Sequence, residues 1–260
     1  MHTLLPSIKG LLFDLDGVLY IGQNVIPGAI EALQKIRNHG LPCRFITNTS
    51  TLSLDSLQKK INTLGFSIAR HEIISAPQAA LLYLQRQHDP VCRLLLADDV
   101  KKDFGQFRQS DSQANYVVVG DIGKAWSYPL MNEVFNNLIH GATLIAIHKN
   151  RFWQTEDGLQ MDIGGFIQAL EYASSSSAMI IGKPSPDFFQ IALNELGLKP
   201  EETAIIGDDI DADIGGGQQA GLKGILVKTG KYRQAYTEAS LIKPNLIISS
   251  IVDLPTALGC

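Results

Sequence analysis

Leu11-Leu12-Phe13-Asp14-Leu15-Asp16-Gly17-Val18 is the stretch from which the fold of this chain is read. Ile8 and Leu11 to Phe13 form an apolar run with the length of a short buried strand. Side chains alternate along a strand, so Asp14 and Asp16 project to the same side at its C-terminal end. Ligands of open parallel sheets sit at that end. Gly17 then permits a sharp turn that brings backbone N–H groups close to whatever the carboxylates hold. Two carboxylates beside a turn of amides suit a hard cation and the phosphate it carries. A short acidic turn is also a common surface feature, so the weight falls on whether the rest of the chain supplies matching parts.

The chain has 260 residues, 45% of them hydrophobic and 18% charged, enough for one large domain or two moderate ones. A net charge of −4 without a long basic run argues against nucleic acid and anionic membrane surfaces as partners. No apolar run is long enough to span a bilayer, and a secretion signal is not evident before the first strand. Cys43, Cys92 and Cys260 are odd in number and far apart, which fits reduced thiols in a cytoplasmic protein better than disulfides or zinc. The Asn48-Thr49-Ser50 glycosylation pattern is discounted in that setting.

Along the chain, Pro27 to His39 reads as a helix stopped by Gly40, Leu41 to Ile46 as a strand, and Asp55 to Leu64 as a helix closed by Gly65. Strand, helix and strand with short connections describe a parallel βαβ unit. Helices are expected over Ala79 to Gln87, Leu130 to His140 and Gly164 to Ala173, and strands over Arg93 to Ala97, Tyr116 to Val119 and Thr143 to Ile147. Asp98 to Ala114 is polar and poorly patterned. From Met179 the first pattern resumes, with a strand to Ile181, a helix from Pro186 to Leu196 and a strand from Ala204 to Ile206. A helix from about Asp211 to Ala220 and a strand from Gly224 to Val227 follow. The expected fold class is α/β. A Rossmann-like, doubly wound parallel core spans residues 1–75 and 179–260, and an α/β cap domain is inserted over residues 76–178.

Four strand ends in this scheme carry polar groups: Asp14 with Asp16, Thr47 with Asn48, Lys183, and Asp208 with Asp209. In one parallel sheet they converge on one crevice. A phosphoryl group needs its spread charge held by a cation, a lysine and hydrogen-bond donors. Lys183 offers a compact positive charge, and the Thr47 hydroxyl and Asn48 amide offer neutral donors. Asp14 and Asp208 offer oxygens to Mg²⁺. A carboxylate can attack phosphorus, and the second carboxylate of the pair, Asp16, can move protons.

At these residues the chain resembles the haloacid dehalogenase superfamily of phosphatases, with all four of its motifs present in order. The resemblance implies Asp14 as nucleophile and Asp16 as acid/base in Asp14-Leu15-Asp16-Gly17-Val18, and Thr47 with Asn48 as binders of the phosphoryl group. It also implies Lys183 as the lysine of the third motif. Gly207-Asp208-Asp209 with Asp213 resembles the fourth, in which Asp208 ligates Mg²⁺ and Asp209 and Asp213 stand behind the site. The Mg²⁺ ligands it implies are Asp14, Asp16 and Asp208. A large insert between the second and third motifs, together with the tail Val227-Lys228-Thr229-Gly230-Lys231-Tyr232, resembles the branch with an α/β cap. Ala146-Ile147-His148-Lys149, Ala169-Leu170-Glu171-Tyr172-Ala173 and Gly182-Lys183-Pro184 extend the resemblance over nearly the whole chain. Gly215-Gly216-Gly217 departs from it by weakening the helix expected there.

The implied activity is Mg²⁺-dependent hydrolysis of a small phosphorylated substrate through an aspartyl-phosphate. Phosphomonoesters, phosphoamides such as phospholysine or phosphohistidine, and pyrophosphate all stay open, as does a homodimer through the cap. His148 and Arg151, in a basic loop before Phe152-Trp153, are candidates for substrate selection by the cap, against the alternative of an ordinary surface loop. A phospho-Asp switch of the receiver type uses similar residues. The insert is too large for one, and Asp16 is placed to activate the water that destroys the acyl phosphate. A dehalogenase would not need so charged a set, and a scaffold without activity would not keep every catalytic group.

Overall fold

The computed structural model describes residues 8–155 and 158–260. The chain forms two compact units. The first comprises residues 1–47, 58–74 and 183–260, and the second residues 48–57 and 75–182.

A six-stranded sheet organises the first unit, in the spatial order Leu246–Ile248, Lys223–Val227, Thr203–Gly207, Gly10–Asp14, Cys43–Thr47 and Ile73–Ser75. Pairing is parallel from Leu246–Ile248 through Cys43–Thr47. Every residue of Gly10–Asp14 and of Thr203–Gly207 is buried. Strands covered on both faces read as near-continuous apolar runs, and Leu11 to Phe13 and Ala204 to Ile206 supply them, with Asp14 and Thr203 as polar ends. From the first strand the chain works outward to one edge, then returns beside the first strand and works outward to the other. The order therefore reverses between Gly10–Asp14 and Thr203–Gly207, the doubly wound arrangement in which ligands sit at the strand ends of the reversal point. Helices Ala29–Asn38 and Pro186–Leu196 have the expected positions.

Two local differences from the sequence expectations lie in this unit. The helix expected from Asp211 begins instead as a wide π-type turn, Ile210–Gly215, followed by a short α-helix, Gly216–Gln219. Three successive glycines give no helical preference of their own. They are needed for space, because side chains at Gly215, Gly216 and Gly217 would run into Ile242, Pro184 with Phe189, and Ile205. The second difference is a small antiparallel ribbon, Tyr20–Ile21 with Asn24–Val25, just after the first strand.

The second unit has its own five-stranded parallel sheet, ordered Met179–Ile180, Thr143–Ala146, Tyr116–Val119, Val91–Leu95 and Arg108–Gln109. Met179–Ile180 thus pairs with Ile145 and Ala146, and it is not a strand of the first sheet. This corrects the expectation that the first pattern resumes at Met179: an apolar pair specifies a strand but not its partner. The polar stretch after Ala97 holds two short helical turns and the edge strand Arg108–Gln109. Phe152–Thr155 pairs antiparallel with Gly158–Met161. Leu95, Val117, Val119, Leu144 and Ala146 pack with Val134 and Leu138 of helix Tyr128–Ile139 and with Ile167 and Leu170 of helix Gly164–Ser174. Arg93 is buried beneath them, its guanidinium held by Asn137 Oδ1 at 3.0 Å and by the Asp111 carbonyl at 2.8 Å. Gly182, at the end of this unit, lies against Asn48, Ile147 and Ala76, so closely that a side chain there would collide with all three.

Candidate active site

Asp14 ends the central strand of the first unit, and Asp208 follows the strand beside it across the reversal point. Asp14, Asp208 and Asp213 are buried and bring carboxylate oxygens within 4.8 Å of one another. Glycines make this approach possible. Gly17 has φ +92°, and a Cβ on it would strike the Asp208 carboxylate. A Cβ on Gly207 would strike Asp213.

Lys183 reaches the cluster from the loop after Met179–Ile180, not from a strand tip of the first sheet. Its ammonium donates to Asp14 Oδ1 at 2.7 Å and to Asp213 Oδ1 at 2.6 Å, and the residue is 3% exposed. Burial alone lowers a lysine pKa; here the two carboxylates outweigh it and raise the Lys183 pKa, so the group stays charged. Asp213 Oδ2 accepts from the Asp209 amide at 3.1 Å. Burial, reinforced by Asp14 and Asp209, raises the Asp213 carboxyl to about 6 against the pull of Lys183. Burial and the charges of Asp14 and Asp213 push Asp208 well above the usual carboxylate range. Three carboxylates that resist sharing one pocket as anions are a place where a cation is electrostatically wanted. Their donor set is all oxygen, which fits a hard ion such as Mg²⁺.

Asp209 turns away to cap the π-type turn, its Oδ1 accepting from the amides of Asp211 and Ala212 at 3.0 Å each. Its burial would raise its pKa, but Lys231 and these amides lower it. Asp16 is not in the three-acid group. Its side chain is exposed beside the Tyr20–Ile21 ribbon, yet crowded enough that desolvation raises its pKa over the opposing effects of Lys60, the Gly22 amide and Lys231. Thr47 closes its strand, buried, in the same unit. Asn48 begins the second unit, against Gly182.

In the second unit, His148 is buried, with Nδ1 4.0 Å from Asp162 Oδ2 and 3.4 Å from the Asn150 amide. Arg151 is exposed, its guanidinium 5.9 Å from the centre of the Phe152 ring. Lys149, between them, is paired with Glu171.

Two lysines near the acids were given no role in the site from sequence, although Lys231 lies in the tail that carries the resemblance. Lys231 donates its backbone amide to Asp208 Oδ2 at 2.6 Å and its ammonium to Asp209 Oδ2 at 3.4 Å. Lys60 stands 4.5 Å over the Tyr20 ring and acts electrostatically on Asp16. The glycine in Thr229-Gly230-Lys231 after an apolar strand was the available signal for the first. Helical spacing from Leu57 was the signal for the second.

Residues 11–107 match the family profile described as haloacid dehalogenase-like hydrolase, and residues 180–254 match one described as HAD-hydrolase-like. The chain is 44% identical over 230 residues to haloacid dehalogenase-like hydrolase domain-containing protein 2 of Bos taurus, covering 88% of this chain and 87% of that one. It is 40% identical over 234 residues to phospholysine phosphohistidine inorganic pyrophosphate phosphatase of Xenopus laevis, covering 87% and 86%. Among solved structures, p-nitrophenyl phosphatase from Archaeoglobus fulgidus superposes with a TM-score of 0.89 at 26% identity, covering 97% of this chain and all of the other. The 4-nitrophenylphosphatase from Thermotoga maritima shares the fold, with a TM-score of 0.91.

Proposed function

The chain belongs to the haloacid dehalogenase-like hydrolase family, and from that premise we propose that it is a Mg²⁺-dependent phosphatase of small phosphorylated compounds that works through an aspartyl-phosphate on Asp14. The observation that carries this reading is the convergence of Asp14, Asp208 and Asp213 on one point, with Lys183 bonded to the first and third. Asp14 and Asp208 would hold the ion, while both oxygens of Asp213 are engaged by Lys183 and the Asp209 amide. When bound, Mg²⁺ offsets the charge of the acids and of the phosphoryl oxygens.

An Asp14 oxygen attacks phosphorus, and the bond from phosphorus to the leaving group breaks. Asp16 donates a proton to the departing atom, a role favoured by the direction of its pKa, which desolvation raises. Asp16 then takes a proton from water as that water attacks phosphorus. The bond to Asp14 breaks, releasing phosphate and the free carboxylate. Lys183 holds the attacking carboxylate in aim through its bond to Asp14 Oδ1, and Asp213 keeps Lys183 in place. The Thr47 hydroxyl is a neutral donor for the phosphoryl group, and Asn48 is proposed as a second. The second unit is proposed to act as a cap, with His148 and Arg151 as selectors of substrate.

Similarity to a phospholysine phosphohistidine inorganic pyrophosphate phosphatase puts phosphoamides and pyrophosphate beside phosphomonoesters as substrates to test. A screen of these three classes with Mg²⁺, ranked by kcat/KM, decides among them. Asp14→Asn tests the intermediate. It is expected to reduce kcat at least about a thousandfold and to abolish label trapped from phosphate-labelled substrate. Residual turnover above that level, or trapped label in the variant, contradicts the assignment.

A further inference from the structure

The two buried-side lysines of the first unit are bonded very differently. Lys183 is 4% exposed in its side chain and makes two bonds of 2.7 and 2.6 Å to carboxylates. The Lys231 side chain is 32% exposed. Among the described residues its ammonium makes one contact, at 3.4 Å to Asp209, beyond the usual length of such a bond. An ammonium has three hydrogens to give, so Lys231, tied to Asp208 by its backbone amide, keeps most of its ammonium's donor capacity unspent.

Its backbone is, by contrast, firmly tied. The Lys231 amide donates to Asp208 Oδ2 at 2.6 Å. Two residues earlier, the Thr229 hydroxyl donates to the Gly17 carbonyl. Gly230 between them has φ +54° and lies against the Asp208 carboxylate and Gly17, where no side chain fits. The Thr229-Gly230-Lys231 segment is thus strapped to both sides of the reversal point, to the turn after Asp14 and to Asp208. A fixed backbone carrying a half-open, under-bonded ammonium is the geometry of an anion contact.

We infer that the Lys231 ammonium binds an oxygen of the substrate's phosphoryl group and of the product phosphate, a role separate from that of Lys183. The inference rests on the phosphatase reading above. It divides the work: Lys183 saturates the protein's own acids, and Lys231 meets the ligand. Because the strap uses the amide of residue 231, replacing the side chain leaves that bond to Asp208 in place.

The test is calorimetric binding of inorganic phosphate to Mg²⁺-loaded wild type, Lys231→Met and Lys231→Arg, with Mg²⁺ binding measured separately. Lys231→Met is expected to weaken phosphate at least about tenfold, the loss of one charge-assisted hydrogen bond. Mg²⁺ affinity should stay within about twofold, and Lys231→Arg should recover most of the phosphate affinity. In turnover, KM should rise more than kcat falls. Unchanged phosphate affinity in Lys231→Met overturns the inference, and so does a parallel loss of Mg²⁺ affinity, which would make the residue part of the cation site. If wild type binds phosphate through Lys231 but turns over no phosphorylated compound, the phosphatase reading falls and the contact stands. If wild type is an active phosphatase and Lys231→Met binds phosphate equally well, only the contact falls.

Discussion

Lys183 Nζ lies 2.7 Å from Asp14 Oδ1, although 169 residues separate them in the chain. The contact joins the proposed nucleophile to a lysine that arrives from the far side of the insert, and Asp213 closes the pair into a triad. Each member is buried, so each depends on the others for the loss of water.

Removing the centre of that triad should be costly twice over. Lys183→Met leaves Asp14 and Asp213 facing each other in a dry pocket, and is expected to destabilise the metal-free protein by about 3–5 kcal/mol. Adding Asp213→Asn should return part of the stability but none of the turnover. Urea denaturation with a chelator present checks this, and a loss below about 1 kcal/mol for the single variant contradicts the buried-triad account.

Asp16→Asn should separate the two chemical steps. Loss of a general acid/base costs about 10²–10⁴-fold in rate, and an aryl phosphate with a good leaving group suffers least in the first step. Phospho-enzyme is therefore expected to accumulate, seen as acid-stable label on the protein after a rapid quench. An unchanged rate with no trapped label gives Asp16 another role.

Stability of the metal-free protein should respond to pH through Asp213. Its carboxyl is raised from 3.8 to about 6, so the folded state holds that proton more tightly than the unfolded chain. The resulting stabilisation is fully present below about 3.8 and is lost as pH rises through about 6. Asp208, raised in the same direction, adds to the loss. Mg²⁺ competes with those protons and should restore what is lost. Thermal unfolding with and without Mg²⁺ is expected to show a larger increment at about pH 7.5 than at about pH 5. An increment that is flat or falls with pH contradicts the placement of the ion among these acids.

Hydrophobic patterning made the central strands legible because Gly10–Asp14 and Thr203–Gly207 are buried on both faces and hence apolar through their middles. Pro186–Leu196 was legible from its start and its stop, Pro at the first helical position and Gly197 just after the last. Met179–Ile180 was assigned to the wrong sheet because two residues carry strand preference but no address; the address is set by pairing with Ile145 and Ala146. The π-type turn escaped because the glycines that close and follow it carry no helical preference, and their place is set by space against Ile205, Phe189 and Ile242. Within the site, Asp14 and Asp208 announced themselves by chemical type at strand ends, Lys183 by a strand end that lies in the other sheet, and Asp213 through the resemblance alone. Lys231 did not, since its bond to Asp208 is made by a backbone amide, which every residue but proline possesses.

The contact of Gly182 with Asn48 and Ala76 has a consequence for how the chain finds this structure. The central pairing of the first sheet joins Gly10 to Thr203, so most of the polypeptide lies in the loop that must close. Closing a flexible loop of about a hundred residues costs about 2 kcal/mol more than closing one of about ten. An insert that folds first and brings residues 76 and 182 side by side replaces the long loop with a short one. Prior collapse of the second unit would thus lower the entropic barrier to pairing Gly10–Asp14 with Thr203–Gly207, the two strands that carry Asp14 and lead to Asp208.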